Sequence, residues 1–403
     1  MISTKAYKFR FYPTKEQELQ LSQEFGCARF VWNRALVEKE YAYKNFGVSL
    51  SYVDISRHIT QYKKTDNYGW LKNATTAVLQ QKLTDLDKAY KNFFEGRAKF
   101  PKFKKKSHKQ AVRYTLDQRV VVNNYRAGEL LKLPKLGSLD IRWSQAPKGT
   151  PKMVTVSKQA TGKYFISFMC EEEILPMINT GKIVGVDVGI KDVIVTSDGY
   201  FSGSPKFTYK NARKLKKAQR KLSKKTKGSN GWKKQRLVVA KIHEHIANSR
   251  RDFLNKETTR LVKENDVICL EDLNVSGMIK NRKLSKAVAD VGIFELNRQI
   301  KYKASWYGKK VEVIDRWFPS TKMCSGCGQL HDMKLKDRVM DCDCGLNIDR
   351  DLNAAINIRT AGEAGIAGGV IYKPVRQSNV RNRVTVKPEH KIQEAGCQEQ
   401  LAA

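Results

Sequence analysis

Residues 5–13, KAYKFRFYP, alternate apolar and basic side chains up to a proline, and this period of two predicts a β-strand. Apolar positions at helical spacing then predict helices over about 15–46 and 74–95, the second carrying Val78, Leu79, Leu83, Leu86 and Tyr90. The run RAKFPKFKKKSHK at 97–109 has too much charge for a core element, and predicts a basic loop with Phe100 and Phe103 available for stacking. From about 110 to 180 short strand-like runs follow one another: VRYTL, RVVVN, LLKLP, LDIRW, KMVTVS and KYFISFMCEE. Short strands at this spacing predict a small β-barrel.

At about 181 the pattern changes to strands alternating with helices. IVGVDVG and KDVIVTSDG predict a buried strand and its hairpin partner, with Gly189 near the turn. Residues 208–263 read as helical and basic, DVICLED as a second buried strand, 291–307 as a helix ended by Gly308, and KKVEVID as a further strand. That order predicts an α/β core with a mixed sheet. Past about 362 the chain becomes Gly-rich and polar, which predicts a loosely attached tail.

The 403 residues are enough for two or three domains, and their formal charge of +36 calls for a polyanionic partner. No apolar run approaches the roughly 20 residues of a spanning helix, and no apolar signal segment follows Met1, so nucleic acid is favoured over membrane. Cys27, Cys170, Cys269 and Cys397 are scattered, which predicts reduced thiols and a cytoplasmic protein, with Cys269 a small core residue. Cys324, Cys327, Cys342 and Cys344 cluster instead, as CSGC and CDC. Four thiolates would close a tetrahedral structural zinc site and leave no position for catalysis. The segment between the pairs is too polar for a core, which weighs against four free buried thiols.

Three acids stand where chemistry is more economical than packing. Asp187 ends one apolar strand, Glu271 ends another, and Asp351 lies in the first turn of a helix that Asp349 can cap, with Ala354, Ala355 and Ile358 on its packing face. Three carboxylates within about 5 Å would repel by roughly 3 kcal/mol per pair at an effective dielectric near 20. Divalent cations would relieve that repulsion and serve phosphodiester hydrolysis. Asp192 and Asp272 read as ordinary strand-end charges. Spacing alone leaves open whether the three acids converge or are separate caps and surface charges.

GVDVGIKDVIVTSDG, ICLEDLNVSGM, DRWFPSTKMCSGCG and IDRDLNAAINI, in this order, resemble the TnpB family encoded by bacterial insertion sequences. The resemblance begins at KAYKFRFYPTKEQ and GCARFVWN and runs to about residue 360. It implies an RNA-guided DNA endonuclease with a RuvC-type, RNase H-like core, related to the type V CRISPR effectors. It implies that Asp187, Glu271 and Asp351 form the catalytic triad and hold two Mg2+ ions, Asp187 and Asp351 bridging or flanking them. It also implies a zinc ribbon set into the nuclease domain, although the CDC pair departs from the family's commoner CxxC. The implied partners are a guide RNA derived from the element's end and double-stranded target DNA bearing a short flanking motif.

The implied organisation is a wedge β-barrel from 1–20 and 110–180 and a helical recognition domain over 21–109. The nuclease domain follows from 181–318 and 349–362, with the ribbon at 319–348 and a flexible tail at 363–403. Between Lys206 and Arg236 there is no acidic residue. Leu215, Ala218 and Leu222 give that helix a docking stripe, so Lys214, Lys217, Lys221 and Lys224 face outward as phosphate contacts. Lys104 in the basic loop is a further nucleic-acid contact, and Tyr52 and Gln80 are candidates for reading the flanking motif by stacking and adenine recognition. The rival readings are a non-cleaving guided DNA-binding regulator, a DNA strand-transferase and a compact type V CRISPR effector. The three intact acids favour a nuclease over the first, no Tyr-based or HUH motif supports the second, and only genomic neighbours separate the third.

Overall fold

The computed structural model describes residues 2–107, 109–115, 131–334 and 336–367. RVVVN, Cys397 and most of the expected tail lie outside the described residues. The elements are β1 (Ile2–Phe11), α1 (Lys15–Phe46), α2 (Tyr52–Tyr62), a 3-10 turn (Asp66–Asn73), α3 (Thr76–Phe94), β2 (Gln110–Thr115), β3 (Leu131–Leu133), β4 (Gly137–Leu139), β5 (Ile141–Arg142), β6 (Thr150–Lys158) and β7 (Tyr164–Glu173). The second half adds β8 (Ile183–Asp187), β9 (Val195–Thr196), α4 (Phe207–Lys210), α5 (Ala212–Ser223), α6 (Asn230–Glu264), β10 (Val267–Glu271), α7 (Val275–Lys280), α8 (Ser285–Val291), α9 (Ile293–Trp306), β11 (Lys310–Ile314), β12 (Val339–Asp341), β13 (Asn347–Asp349) and α10 (Arg350–Ile366).

The alternation in β1 does what its period demands: Tyr7, Phe9 and Phe11 are buried and the intervening basic residues are not. β1 pairs antiparallel with β7 along its whole length, from Ile2 opposite Glu173 to Phe11 opposite Tyr164, in a sheet ordered β2-β6-β7-β1-β5. α1 starts at a capping box, in which Thr14 accepts from the Gln17 amide and Gln17 returns the bond. Its N-terminal half inserts Leu21, Phe25 and Ala28 into the sheet's core, whereas Val31, Trp32, Ala35 and Leu36 pack with α2 and α3 in a second core. One helix therefore serves both cores, and the boundary expected at residue 20 falls inside it. The helix α2, absent from the expected elements, contributes Ile55 and Ile59 to the second core.

In the second half a four-stranded sheet has the order β11-β10-β8-β9. β8, β10 and β11 are parallel, and β9 returns antiparallel to β8, as the predicted hairpin partner should. Strand side chains alternate, so one face presents Val184, Val186, Ile268 and Leu270 to Leu254, Leu261, Leu296 and Ile300 of α6 and α9. The other face meets α10, where Cys269 packs with Ile358 and Ala361. α10 comes very close: a Cβ on Gly185 would lie 2.0 Å from the Ala355 carbonyl oxygen, and one on Gly362 would lie 2.2 Å from Cys269 Sγ. The expected helical stretch 208–263 is broken at 224–229 into α5 and α6. Residues 363–366, expected in the tail, are helical instead, because α10 continues to Ile366, with Arg359 bonded to Glu363.

Candidate active site and cysteine cluster

Asp187 and Glu271 are the last residues of β8 and β10, and the parallel register Leu270 to Val186 carried one step further sets them side by side. Strand parity turns both toward α10, away from Val186 and Leu270. Asp351 stands in the first turn of α10, whose N-cap is Asp349, accepting from the amides of Asp351 and Leu352 at 2.9 and 3.2 Å. Asp349 is thus a cap, as its position predicted. Asp192 accepts from the Gly203 amide and Asp272 pairs with Arg316, so both have local structural partners.

Asp187 feels the other two acids. Burial, then the negative charges of Asp351 and Glu271, raise the Asp187 carboxyl to about 7, with Arg350 opposing. Burial also pushes Glu271 up, against a hydrogen bond from Ser320 Oγ to its Oε1 at 3.1 Å. Arg350 grips Asp351 Oδ1 through Nε at 3.0 Å and Nη2 at 2.8 Å. Among the described residues, the acids are not drawn together as tightly as the cysteines, which form the one group of three or more potential ligands all within 4.8 Å. A buried Asp187 whose proton affinity is raised by two further carboxylates belongs to a donor set suited to a hard divalent cation.

The cysteine cluster sits in the segment between β11 and α10. Cys324 and Cys344 sulfurs lie 3.6 Å apart and those of Cys327 and Cys342 3.5 Å apart. Tetrahedral zinc with Zn–S bonds of about 2.3 Å needs sulfurs separated by roughly 3.8 Å, so the four fit such an ion despite the short CDC spacing. The loops that carry them close on Gly328 and Gly345, through bonds to the carbonyls of Cys324 and Cys342 at 2.9 Å each. Burial raises the Cys324 thiol, but the amides of Cys327 and Gly326 and the neighbouring thiols outweigh it and bring it down to about 7. His331 Nε2 lies 3.2 Å from Cys342 Sγ, a contact that the cysteine spacing does not announce.

The predicted nucleic-acid contacts are dispersed. Lys214, Lys217 and Lys221 on α5 and Lys224 just past its end are all exposed, and α5 docks through Ala218, with Gln235 of α6 bonded to the Ala218 carbonyl. Lys217, Lys221 and Lys224 line a shallow groove with Arg213, Lys216 and Arg220. Lys104 is exposed, with Nζ 4.3 Å from the centre of the Trp32 ring and its backbone bonded to the Asn33 side chain. Phe103 and Phe100 are both exposed, and Phe100 is also engaged edge-on by Tyr90 and Phe93. Gln80 is exposed on α3, but Tyr52 is partly buried against the helical core, which limits its reach for a base.

Three family models match the chain: "Probable transposase" over residues 167–282, "Cas12f1-like, TNB domain" over 294–358 and "Helix-turn-helix domain" over 1–47. The last covers one strand and one 32-residue helix here. A Streptomyces pristinaespiralis protein named "Putative RNA-guided DNA endonuclease" is 41% identical over 396 residues, covering 97% of this chain and 98% of its own. This chain belongs to the TnpB family. A second relative of this TnpB protein, "Putative RNA-guided DNA endonuclease InsQ" of Escherichia coli K12, is 35% identical and covers 92% of this chain and 96% of its own. Among solved structures, the Cas12f1 chain of a "Cas12f1-sgRNA-target DNA complex" matches with a TM-score of 0.54 at 14% identity, covering 89% of this chain and 99% of that one, so the TnpB protein shares its fold. No helix among the described residues of this TnpB protein is long and apolar enough to cross a membrane.

Sequence reasoning passed over Arg350, Ser320, Asn353 and Asn357, which all bond at or beside the acids or the cysteine loop. The signal for the asparagines was present: two amides four residues apart interleave with Ala354, Ala355 and Ile358 on one helix. Polar side chains on a packing face need partners.

Proposed function

We propose that this chain is an RNA-guided, divalent-metal-dependent DNA endonuclease, cutting target DNA beside a short flanking motif under the direction of an RNA from its element's end. The observation that carries the reading is the placement of Asp187 and Glu271 at adjacent strand ends, where burial and then the charges of Asp351 and Glu271 raise the Asp187 carboxyl to about 7. The family relationship and the basic surface of α5 support the guide RNA and target DNA as partners. The sheet order with α10 laid across β8 is compatible with an RNase H-like nuclease core, and the five-stranded sheet with a barrel wedge carrying the helical region as its recognition insertion.

In this reading Asp187, Glu271 and Asp351 hold two Mg2+ ions, and the four cysteines hold one structural Zn2+. When bound, the magnesium pair supplies water activation and charge stabilisation at the leaving oxygen. Asp187 must give up its proton to become a ligand, so proton and dication compete for it, and the neighbouring negative charges that raise its proton affinity also attract the dication. Ser320 orients Glu271, and Arg350 holds Asp351 by one oxygen. Lys214, Lys217, Lys221, Lys224 and Lys104 contact phosphates, Tyr52 and Gln80 remain candidates for the flanking motif, and the protein works in the bacterial cytoplasm.

The test is to purify the protein from cells co-expressing its native genomic flank and sequence the bound RNA. The RNA-loaded protein is then given Mg2+ and plasmids with a matching target beside randomised bases. A discrete RNA and cutting beside one short motif are expected. Target binding without cutting would favour the guided regulator, and absence of a discrete RNA would remove the guide from the proposal.

A further inference from the structure

The cysteine segment is bonded to two of the three elements that carry the candidate carboxylates, β10 and α10, through side chains that are almost wholly buried. Asn353 and Asn357, 0% and 2% exposed, lie one turn apart on α10, downstream of Asp351 on the same helix. Asn353 Oδ1 accepts from the Ser325 amide at 2.9 Å, and its Nδ2 donates to the Met323 carbonyl at 2.7 Å. Asn357 Nδ2 donates to the carbonyls of Met323 at 2.6 Å and Ser320 at 2.8 Å. These bonds bracket Cys324, the first residue of the cluster. At the other end of the same loop, Ser320, 3% exposed, donates from Oγ to Glu271 Oε1. Arg350 adds a third tie: its amide and Nη1 bond the carbonyls of Arg338 and Asp337 while its guanidinium holds Asp351.

We propose that Ser320, Asn353 and Asn357 are positioning residues that lock the loop of Cys324 to Glu271 and to the helix of Asp351, and so set the separation of those two carboxylates. The inference rests on the proposed assignment of these acids as the divalent site. Ligation of the cysteines then has a defined consequence beyond stabilising the ribbon. A fixed Cys324 loop holds Glu271 through Ser320 and holds α10 through its two asparagines. A loosened loop lets both carboxylates drift, which weakens divalent binding before it affects guide or target binding.

The experiment compares RNA-loaded wild type with Ser320→Ala, Ser320→Thr, Asn357→Asp and Glu271→Ala. It reads the Mg2+ concentration for half-maximal cleavage and, without turnover, Mn2+ affinity by electron paramagnetic resonance after subtracting the Asp187→Ala complex. Melting temperature, guide-RNA affinity and released zinc control for folding. Ser320→Ala should raise the Mg2+ requirement and weaken Mn2+ binding by about fivefold or more, as loss of one hydrogen bond to a charged group implies. Cleavage at saturating Mg2+ should stay near wild type, Ser320→Thr should restore the requirement, and Asn357→Asp should raise it with zinc still bound. A wild-type Mg2+ requirement in Ser320→Ala, beside an inactive Glu271→Ala, overturns the positioning role alone. An increase that Ser320→Thr does not rescue also overturns it, by assigning the effect to packing. Normal cleavage by Glu271→Ala would instead overturn the underlying site assignment.

Discussion

The two faces of the four-stranded sheet are built from the same strands and carry opposite chemistry. Toward α6 and α9 stand Val184, Val186, Ile268 and Leu270, each at most 1% exposed and packed in the apolar core. Toward α10 the strands carry Gly185, Asp187, Cys269 and Glu271: small residues where the helix must approach and acids where the strands end. One face supplies the burial that holds the sheet, at roughly 1.5–3 kcal/mol for each large aliphatic side chain. That support lets the other face keep carboxylates close together at a cost in stability. A strand's period of two is enough to separate the roles, because no residue has to serve both.

The sharpest test of this division pairs one substitution on each face. Asp351→Ala should lower Mg2+-dependent cleavage by at least about a thousandfold, leaving the melting temperature and guide-RNA affinity near wild type. Leu270→Ala should do the reverse. It should destabilise by about 2–5 kcal/mol in denaturant titration, yet leave the cleavage rate per folded molecule almost unchanged. Collapse of folding in Asp351→Ala, or selective loss of cleavage in Leu270→Ala, would break the comparison.

A smaller effect sharpens it through pH. The Asp187 carboxyl is raised in the folded state from an ordinary value of 3.8 to about 7. A raised acid contributes stability that is full below the unfolded value and lost as pH rises through the folded one. Metal-free protein should therefore weaken between about pH 4 and pH 7 from this group. Asp187→Asn should remove that slope and stabilise the metal-free protein at pH 8 by roughly 1–3 kcal/mol while ending cleavage. Equal slopes in the two proteins would show that burial and its neighbours do not raise Asp187. The smallest expected effect lies outside the sheet. Lys217→Ala or Lys221→Ala on α5 should weaken guide-RNA binding modestly and reduce the salt slope of log affinity by about 0.7–0.9 per lysine. An unchanged slope would remove α5 from the RNA surface.

Much of this was legible in the sequence. The apolar runs of β8 and β10, each ending in an acid, gave the strands, their burial and the parity of Asp187 and Glu271. The Asp349 cap and the alanines of α10 gave the third acid's helix, and the cysteine pairs gave the cluster. What escaped depends on contacts distant in sequence. Helix α2 has only Ile55 and Ile59 as buried apolar residues and is held by α1 and α3, so its own periodicity is thin. The division of α1 between two cores cannot be read from a stripe that is apolar along much of its length. Ser320 and Arg350 look like ordinary polar residues until the cysteine segment folds back, setting Ser320 on Glu271 and Arg350 on the carbonyls of Asp337 and Arg338. The break between α5 and α6 falls in KKTKGS, which a strongly basic helical background obscured.

The most direct test of the central claim is iron-mediated backbone cleavage of the RNA-loaded protein. Fe2+ replaces the divalent ion, ascorbate and peroxide generate hydroxyl radicals at the bound metal, and the polypeptide fragments are mapped by mass spectrometry. Cuts clustered beside residues 187, 271 and 351, suppressed together by excess Mg2+ and lost in Asp187→Ala, are the predicted result. Cuts at only one of the three positions, or a pattern indifferent to Mg2+ and to Asp187→Ala, would contradict a single metal centre built from all three acids.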